Sequence, residues 1–279
     1  MDLAEISRGI IGGKITRDLS TKLVLEQKNN FPLEILVRIA DLINEADLVC
    51  ESGQYLDIFE NTYQNMKDAS FEQMIDSCMR RTYCINASFY EKIGIMAGLL
   101  ARASEDEITA LAEFGRLYGM AQQLTNDATD FLPSHNVFYR RLTSEKELTD
   151  IYRDIMHGKL TLPVIYSLHC ENTGLIIWRF LNEPNEPLER LKCALETGMK
   201  TPLDTLYRIT FDMIDNSSLD SSIHRARVFG REARKPLRIF PVEKREFLSA
   251  MCIVMDSNRF YRDLKRLKLN LLASRFATL

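Results

Sequence analysis

"FGRLYGMAQQLTNDATDF", residues 114–131, is the stretch on which the reading of this chain turns. It reads as a helix, and Gly115 and Gly119, four apart within its apolar first half, allow another helix to approach closely. Positions four apart on a helix lie one above the other, so Asn126 and Asp130 share a face, with Asp127 turned from Asn126 by about a third of the circumference. Three oxygen donors on one helix end can converge on a hard cation, and a few carboxylate oxygens completed by water and phosphate are what Mg²⁺ prefers. Spacing alone equally fits solvated polar residues at a helix end. The glycine-spaced apolar run before them argues for the cation, because a solvated end has no use for close packing.

Working outward, the rest of the chain has the same helical grain. Twelve Gly and eight Pro punctuate 279 residues, and the apolar residues between them recur at helical rather than alternating spacing, which predicts an all-α protein. Residues 33–59 place Ile35, Ile39, Leu42, Ile43 and Ala46 on one stripe, as a helix laid against a core does. Ser70 with Gln73, Ser104 with Glu107, and Ser144 with Glu147 fit capping boxes, and Thr201, Pro202 and Asp204 fit a fourth helix start. "LNEPNEPLER" and "ARKPLRIFPVEKRE" are proline breaks too short to be interdomain linkers, so residues 1–279 read as a single domain without internal repeats.

Composition excludes several classes of function. With 46% hydrophobic residues the chain can fill a sizeable core, and a net charge of −3 supplies no general attraction to nucleic acid. The six cysteines (Cys50, Cys78, Cys84, Cys170, Cys193 and Cys252) have no CxxC spacing and read as reduced, mostly buried thiols. The opening "MDLAEISRGIIGGK" lacks the basic segment and apolar run of a signal peptide, and no stretch is apolar enough to span a bilayer, so a cytoplasmic location is expected. His135, His157, His169 and His224 are too dispersed for a metal cluster.

Three further motifs carry chemistry only in combination. "HGKLTLPVIYSL", residues 157–168, sets Lys159 after a glycine and Thr161 and Pro163 ahead of an apolar helix, a way to bring a cation and a hydroxyl to a diphosphate. "MRRTYCINASF" carries Arg81 and Thr82; "ESGQYLDIF" carries Gly53, Gln54 and Asp57. Alone, each is ordinary: a lysine at a helix break is usually solvated.

In this order and separation the four motifs resemble the trans-isoprenyl diphosphate synthases, the polyprenyl synthetase family. "GQYLD" is similar to its GQxxD, Arg81-Thr82 to its Lys-Thr, "FGRLYGMAQQLTNDATDF" to its FGxxxGxAFQxxDDxxDF, and "GKLTLP" to its GKxTLP. The similarity extends over roughly residues 10–265, and four ordered motifs are far more specific than any one. The resemblance implies an isoprenoid-synthase-type bundle of antiparallel helices around a central cavity. It also implies a reaction in which aspartate-bound Mg²⁺ draws diphosphate from an allylic substrate and the double bond of isopentenyl diphosphate attacks the carbocation. By the same resemblance Asn126, Asp127 and Asp130 are the metal ligands, Lys159, Thr82 and Gln123 the catalytic residues, and Gln54, Asp57 and Arg81 the remaining diphosphate-binding and cavity residues. Assembly as a homodimer, or as a heterodimer with a related synthase, follows too.

The chain departs from the family at two places. Asn126 stands where the second aspartate motif opens with a carboxylate, so it brings an oxygen but no charge. The first aspartate-rich motif, DDxxD, is not found. "IIGGKITRDLSTKLVLEQ" can be matched to the family's opening GGKxxRxxL only by deleting a large central piece. Matched to the helix after the first aspartate motif it leaves natural spacing from Gly13 through Gln54 to Asp127, and the family's N-terminal helices are then expected to be absent. Three readings follow: a prenyltransferase, active or impaired; a non-catalytic homologue that binds or regulates an active synthase; and a class I terpene cyclase-like enzyme, which the asparagine-led Asn126-Asp127 suggests and the spacing after it suits less well.

Overall fold

The computed structural model describes residues 3–129, 131, 154–155, 157–170, 177 and 212–255. Nine α-helices are described: α1 (Leu3–Glu26), α2 (Leu33–Tyr55), α3 (Tyr63–Met66), α4 (Phe71–Thr82), α5 (Ser88–Leu100), α6 (Glu105–Thr129), α7 (Leu162–Leu168), α8 (Ser218–Glu232) and α9 (Val242–Met255). Among these residues the only β pairing is an isolated antiparallel bridge between Thr62 and Lys159. The all-α expectation holds.

The helix starts follow from side chains that satisfy the unpaired first amides. Ser70 Oγ accepts from the Gln73 backbone amide while Gln73 Oε1 accepts from the Ser70 backbone amide, opening α4, and Ser104 and Glu107 form the same reciprocal pair at α6. The start expected at Ser144, the start at Thr201 and the "LNEPNEPLER" break lie outside the described residues. The second proline break is as expected: Pro236 opens a 3₁₀ turn, Pro236–Ile239, and Pro241 precedes α9. Between α5 and α6 the chain closes with Ala103 N–H donating to the Gly98 carbonyl and Arg102 N–H to that of Leu99, Arg102 taking a left-handed φ of 53°.

Helix α6 is the axis of the bundle. Phe114 and Leu117 join one apolar cluster with Ala233, Leu237 and Cys252, and Leu124 and Ala128 join a larger one with α4, α7 and α8. Against α5 it packs by backbone contact. A Cβ on Gly115 would drive into the Tyr90 carbonyl oxygen, one on Gly119 would sit 2.6 Å from the Ala87 Cα, and one on Gly98 of α5 would sit 2.7 Å from Ile108. Rising residue numbers on α5 meet falling ones on α6, so the pair is an antiparallel hairpin. The predicted role of Gly115 and Gly119 is thus what the structure uses them for. On α2 the buried positions are Leu36, Ile39, Ala40, Leu42, Ala46 and Gly53, which keeps Ile39, Leu42 and Ala46 of the expected stripe and leaves Ile35 and Ile43 half-buried. Two helices lengthen into π segments, Leu56–Glu60 after α2 and Tyr83–Ala87 after α4.

Candidate active site

Both π segments adjoin the same charged cluster. The wider turn at Leu56–Glu60 leaves Asp57 buried, and the segment at Tyr83–Ala87 begins immediately after Arg81 and Thr82; such bulges are frequent at functional sites. Arg81, 1% exposed, points from α4 between two carboxylates. Its Nη1 donates to Asp57 Oδ1 at 3.0 Å and its Nη2 to Asp127 Oδ2. The other oxygen of Asp127 accepts Gln123 Nε2 at 2.7 Å, a contact that the i, i+4 spacing on α6 makes available.

Lys159 reaches the cluster from a different part of the chain. Gly158, at φ 66°, turns the backbone so that its carbonyl accepts the Tyr63 amide at 2.7 Å, and the Leu160 amide donates to the Asn61 carbonyl at 3.0 Å. The Asn61 side chain ties the same place from the other side, its Nδ2 donating to the Leu160 carbonyl at 3.0 Å. Held against the end of α2 by this short bridge, Lys159 donates through Nζ to Asp57 Oδ2 and lies 3.3 Å from Asp154 Oδ1.

The cluster is layered. Arg81 and Asp127 side chains are each 2% exposed, whereas Lys159 is 20% and Asp154 18% exposed. The Arg81 side chain is enclosed among its partners and the Lys159 side chain is partly exposed. Burial pushes the Arg81 pKa down, but the charges of Asp127 and Asp57 outweigh it, and the group stays protonated with a raised value. Burial dominates at Asp127 and raises its carboxyl above the ordinary range against the pull of Arg81. For Lys159 burial again opposes the charge, yet Asp154 and Asp57 prevail and hold the ammonium above its usual value. Cys78, one turn before Thr82, is a buried thiol pushed up to about 11, so it is not a nucleophile here.

A polyprenyl synthetase family model matches residues 6–197, a span containing every member of this cluster. The chain belongs to the polyprenyl synthetase family. It is similar to a geranylgeranyl diphosphate synthase of Sulfolobus acidocaldarius, 22% identical over 85% of this chain and 68% of that protein. It is also similar to one of Methanosarcina mazei, 30% identical over 51% of this chain and 39% of that one. Its fold is that of a solved geranylgeranyl pyrophosphate synthase, with a TM-score of 0.69 at 13% identity, covering 90% of this chain and 68% of the other. The matches thus span between 39% and 68% of these relatives' own lengths.

Within the polyprenyl synthetase frame, Asp57, Arg81, Gln123, Asp127 and Lys159 of the predicted residues come together, and three others do not join them. Gln54 is exposed: Gly53 takes the buried position on that turn, where a Cβ would lie 2.6 Å from Ile85, and Gln54 is rotated outward. Thr82 is buried, but its hydroxyl donates to the Cys78 carbonyl at 2.8 Å inside its own helix rather than toward a cavity. Asn126 is exposed while its neighbour Asp127 is buried, so the two do not converge on one point. Asp130 lies outside the described residues. Asp154 and Asn61 were not foreseen. Neither belongs to a motif, and the only sequence signal was an acid five residues ahead of Lys159 and an amide four after Asp57.

As they stand, the described donors do not form a resident magnesium site. Both oxygens of Asp127 are engaged, by Gln123 and Arg81, and among the described residues no three His, Cys, Asp or Glu side chains are grouped to hold a metal. No helix among the described residues is long and apolar enough to cross a membrane.

Proposed function

We propose that this chain handles the diphosphate of an isoprenyl substrate, in a prenyltransferase reaction that joins an allylic diphosphate to isopentenyl diphosphate. The observation that carries the reading is the convergence of Asp57, Arg81, Gln123, Asp127 and Lys159, separated by up to 102 residues, at one place in the bundle. In that reaction the allylic C–O bond breaks, the diphosphate departs with the electron pair, and the carbocation is attacked by the second substrate's double bond, which then loses a proton. The departing diphosphate develops charge that a fixed cation can stabilise. Lys159 is the described cation of the cluster with access to solvent, so it meets the diphosphate, while Arg81 keeps the carboxylates in place behind it.

Magnesium belongs to this reading as an ion that arrives with the diphosphate and supplies part of its charge neutralisation. The amide oxygen of Asn126, an exposed residue, and the carboxylate of Asp130 are the ligands proposed for it. A dimer belongs to it as well, with an identical or a related chain. Exposed Ile15, Leu19 and Leu23, four apart along α1, and Phe89 and Ile93 on α5 offer apolar surface for it. The free thiols among the described cysteines support a reducing, cytoplasmic location.

Incubation with labelled isopentenyl diphosphate and allylic diphosphates of increasing length tests the reading. Extension by the wild-type chain that is lost in Lys159→Ala is expected; extension unaffected by that change would refute the assigned role. A second reading, a binding subunit of a related synthase, is favoured by a separate observation: both cations are already compensated by carboxylates, and Asn126 replaces a charged ligand. Co-purification with a complete synthase, with no turnover by the chain alone, would select it. Sedimentation at micromolar concentration decides the dimer.

A further inference from the structure

Arg81 and Lys159 come from elements 78 residues apart in sequence, and one carboxylate accepts from both: Asp57 takes Arg81 Nη1 on Oδ1 and Lys159 Nζ on Oδ2. Two cations brought to one place repel, and a carboxylate between them converts repulsion into two attractions. The two sides of Asp57 differ in freedom. On the Arg81 side everything is enclosed, because the guanidinium is also committed to Asp127. Its backbone is restrained too, since the Asn61 amide closes the π segment onto the Leu56 carbonyl at 2.7 Å. On the Lys159 side the lysine side chain is partly exposed and its second carboxylate, Asp154, is the more distant one at 3.3 Å.

We propose that Asp57 is the positioning residue of this site: anchored on one oxygen by the enclosed Arg81, it holds the Lys159 ammonium with the other at the partly exposed edge of the cluster, and yields it to an incoming diphosphate. This rests on the reading above that Lys159 meets the diphosphate. It also reassigns Arg81, which acts through Asp57 and does not itself touch the ligand. A lysine at this enclosed position would bring one compact ammonium in place of the planar fork whose Nη1 and Nη2 each reach a different carboxylate.

The test has a ligand-free arm and a ligand arm. In the first, acylation of individual lysines at pH 8.5 is followed by peptide mapping, with Lys92 as internal reference; it is 19% exposed and paired with Glu45 at 2.7 Å, much as Lys159 is paired. Asp57→Asn should raise the labelling of Lys159 relative to Lys92 by about ten-fold, the equivalent of one pKa unit, and Asp57→Glu should restore most of the protection. In the second arm, binding of inorganic pyrophosphate is measured by calorimetry. Asp57→Asn should weaken it by about ten-fold, or about 1.4 kcal/mol, because the Lys159 ammonium is no longer held where the anion meets it. In a Lys159→Met background the same change should have no further effect. An unchanged Lys159 to Lys92 ratio in the folded variant would overturn the proposal. So would a parallel rise at both lysines, since Asp57 would then be merely structural, or an equal loss of pyrophosphate affinity with and without Lys159. If the wild-type chain binds no pyrophosphate, the functional reading fails, and the labelling ratio still decides what Asp57 does.

Discussion

Where α5 crosses α6 the two backbones touch, with Gly98, Gly115 and Gly119 leaving no room for a side chain between them. Where α2 and α4 end beside α6 and meet the 158–161 segment, by contrast, the elements are joined by side chains that span a gap: Asp57, Arg81, Asp127 and Lys159. The first contact is apolar and set by shape, so it tolerates no added volume. The second is charged and set by pairing, so it tolerates no lost partner.

Removing the partner common to two carboxylates should break the charged end most severely. Arg81→Met leaves Asp57 without its inner contact and Asp127 buried with no cation beside it, only the Gln123 amide, a loss expected at about 3–5 kcal/mol in urea denaturation. A loss below about 1 kcal/mol would mean that this cluster is solvated like a surface pair.

The glycine seam should respond next. In Gly115→Ala the helix-propensity gain of up to about 1 kcal/mol is opposed by a methyl driven into the Tyr90 carbonyl oxygen. Overpacking against backbone costs about 1–3 kcal/mol, so a net destabilisation is expected. Gly230→Ala on α8 is the control. Its Cβ would meet nothing closer than the Ala121 methyl at 3.9 Å, and that variant should be as stable as the parent or slightly more so. Equal effects at the two glycines would remove the distinction between a closed and an open crossing.

A smaller effect is expected in alkali. The Lys159 pKa is raised in the folded chain, so the stability it contributes is fully present below the ordinary lysine value of 10.5 and is lost as pH climbs through the higher folded value. Thermal melts from pH 9 upward should therefore fall less steeply in Lys159→Met than in the parent. Parallel curves would show that Asp57 and Asp154 do not hold the ammonium in solution.

The smallest change in stability, within about 0.5 kcal/mol, is expected for Asn126→Asp, because the residue is exposed. Its effect should be confined to binding: calorimetry should show pyrophosphate with Mg²⁺ bound more tightly, and pyrophosphate alone no better. Tighter binding without the metal would place the anion elsewhere.

Much of this was readable in one dimension because it depends on near neighbours. The capping boxes at Ser70 and Ser104 need only a hydroxyl and a side chain three residues on, and the glycine pair on α6 announces a close crossing without saying what crosses. Gln123 and Asp127 could be paired from their spacing. Failures arose where a neighbour one position away took the inward direction. Gly53 is buried and Gln54 is not; Asp127 is buried and Asn126 is not. A helix turns about 100° per residue, so a motif names a turn, and packing against the next element chooses which residue of that turn faces in. Thr82 failed for another reason, its hydroxyl having a competing acceptor in its own helix.

The sequence by itself determined that the chain is helical, where several helices begin, that α6 is approached closely, and which family supplies the pattern. These are properties of residues within a turn or two of each other, or of motifs in a fixed order. Only the tertiary structure decided which carboxylate each cation takes, that Asp57 serves both Arg81 and Lys159, that Asp154 and Asn61 lie at the charged cluster, and that the Arg81 side chain is enclosed while that of Lys159 is partly exposed. The physical reason is that charge pairing and burial depend on separation in space, and the partners lie between 5 and 102 residues apart along the chain, where no local propensity connects them.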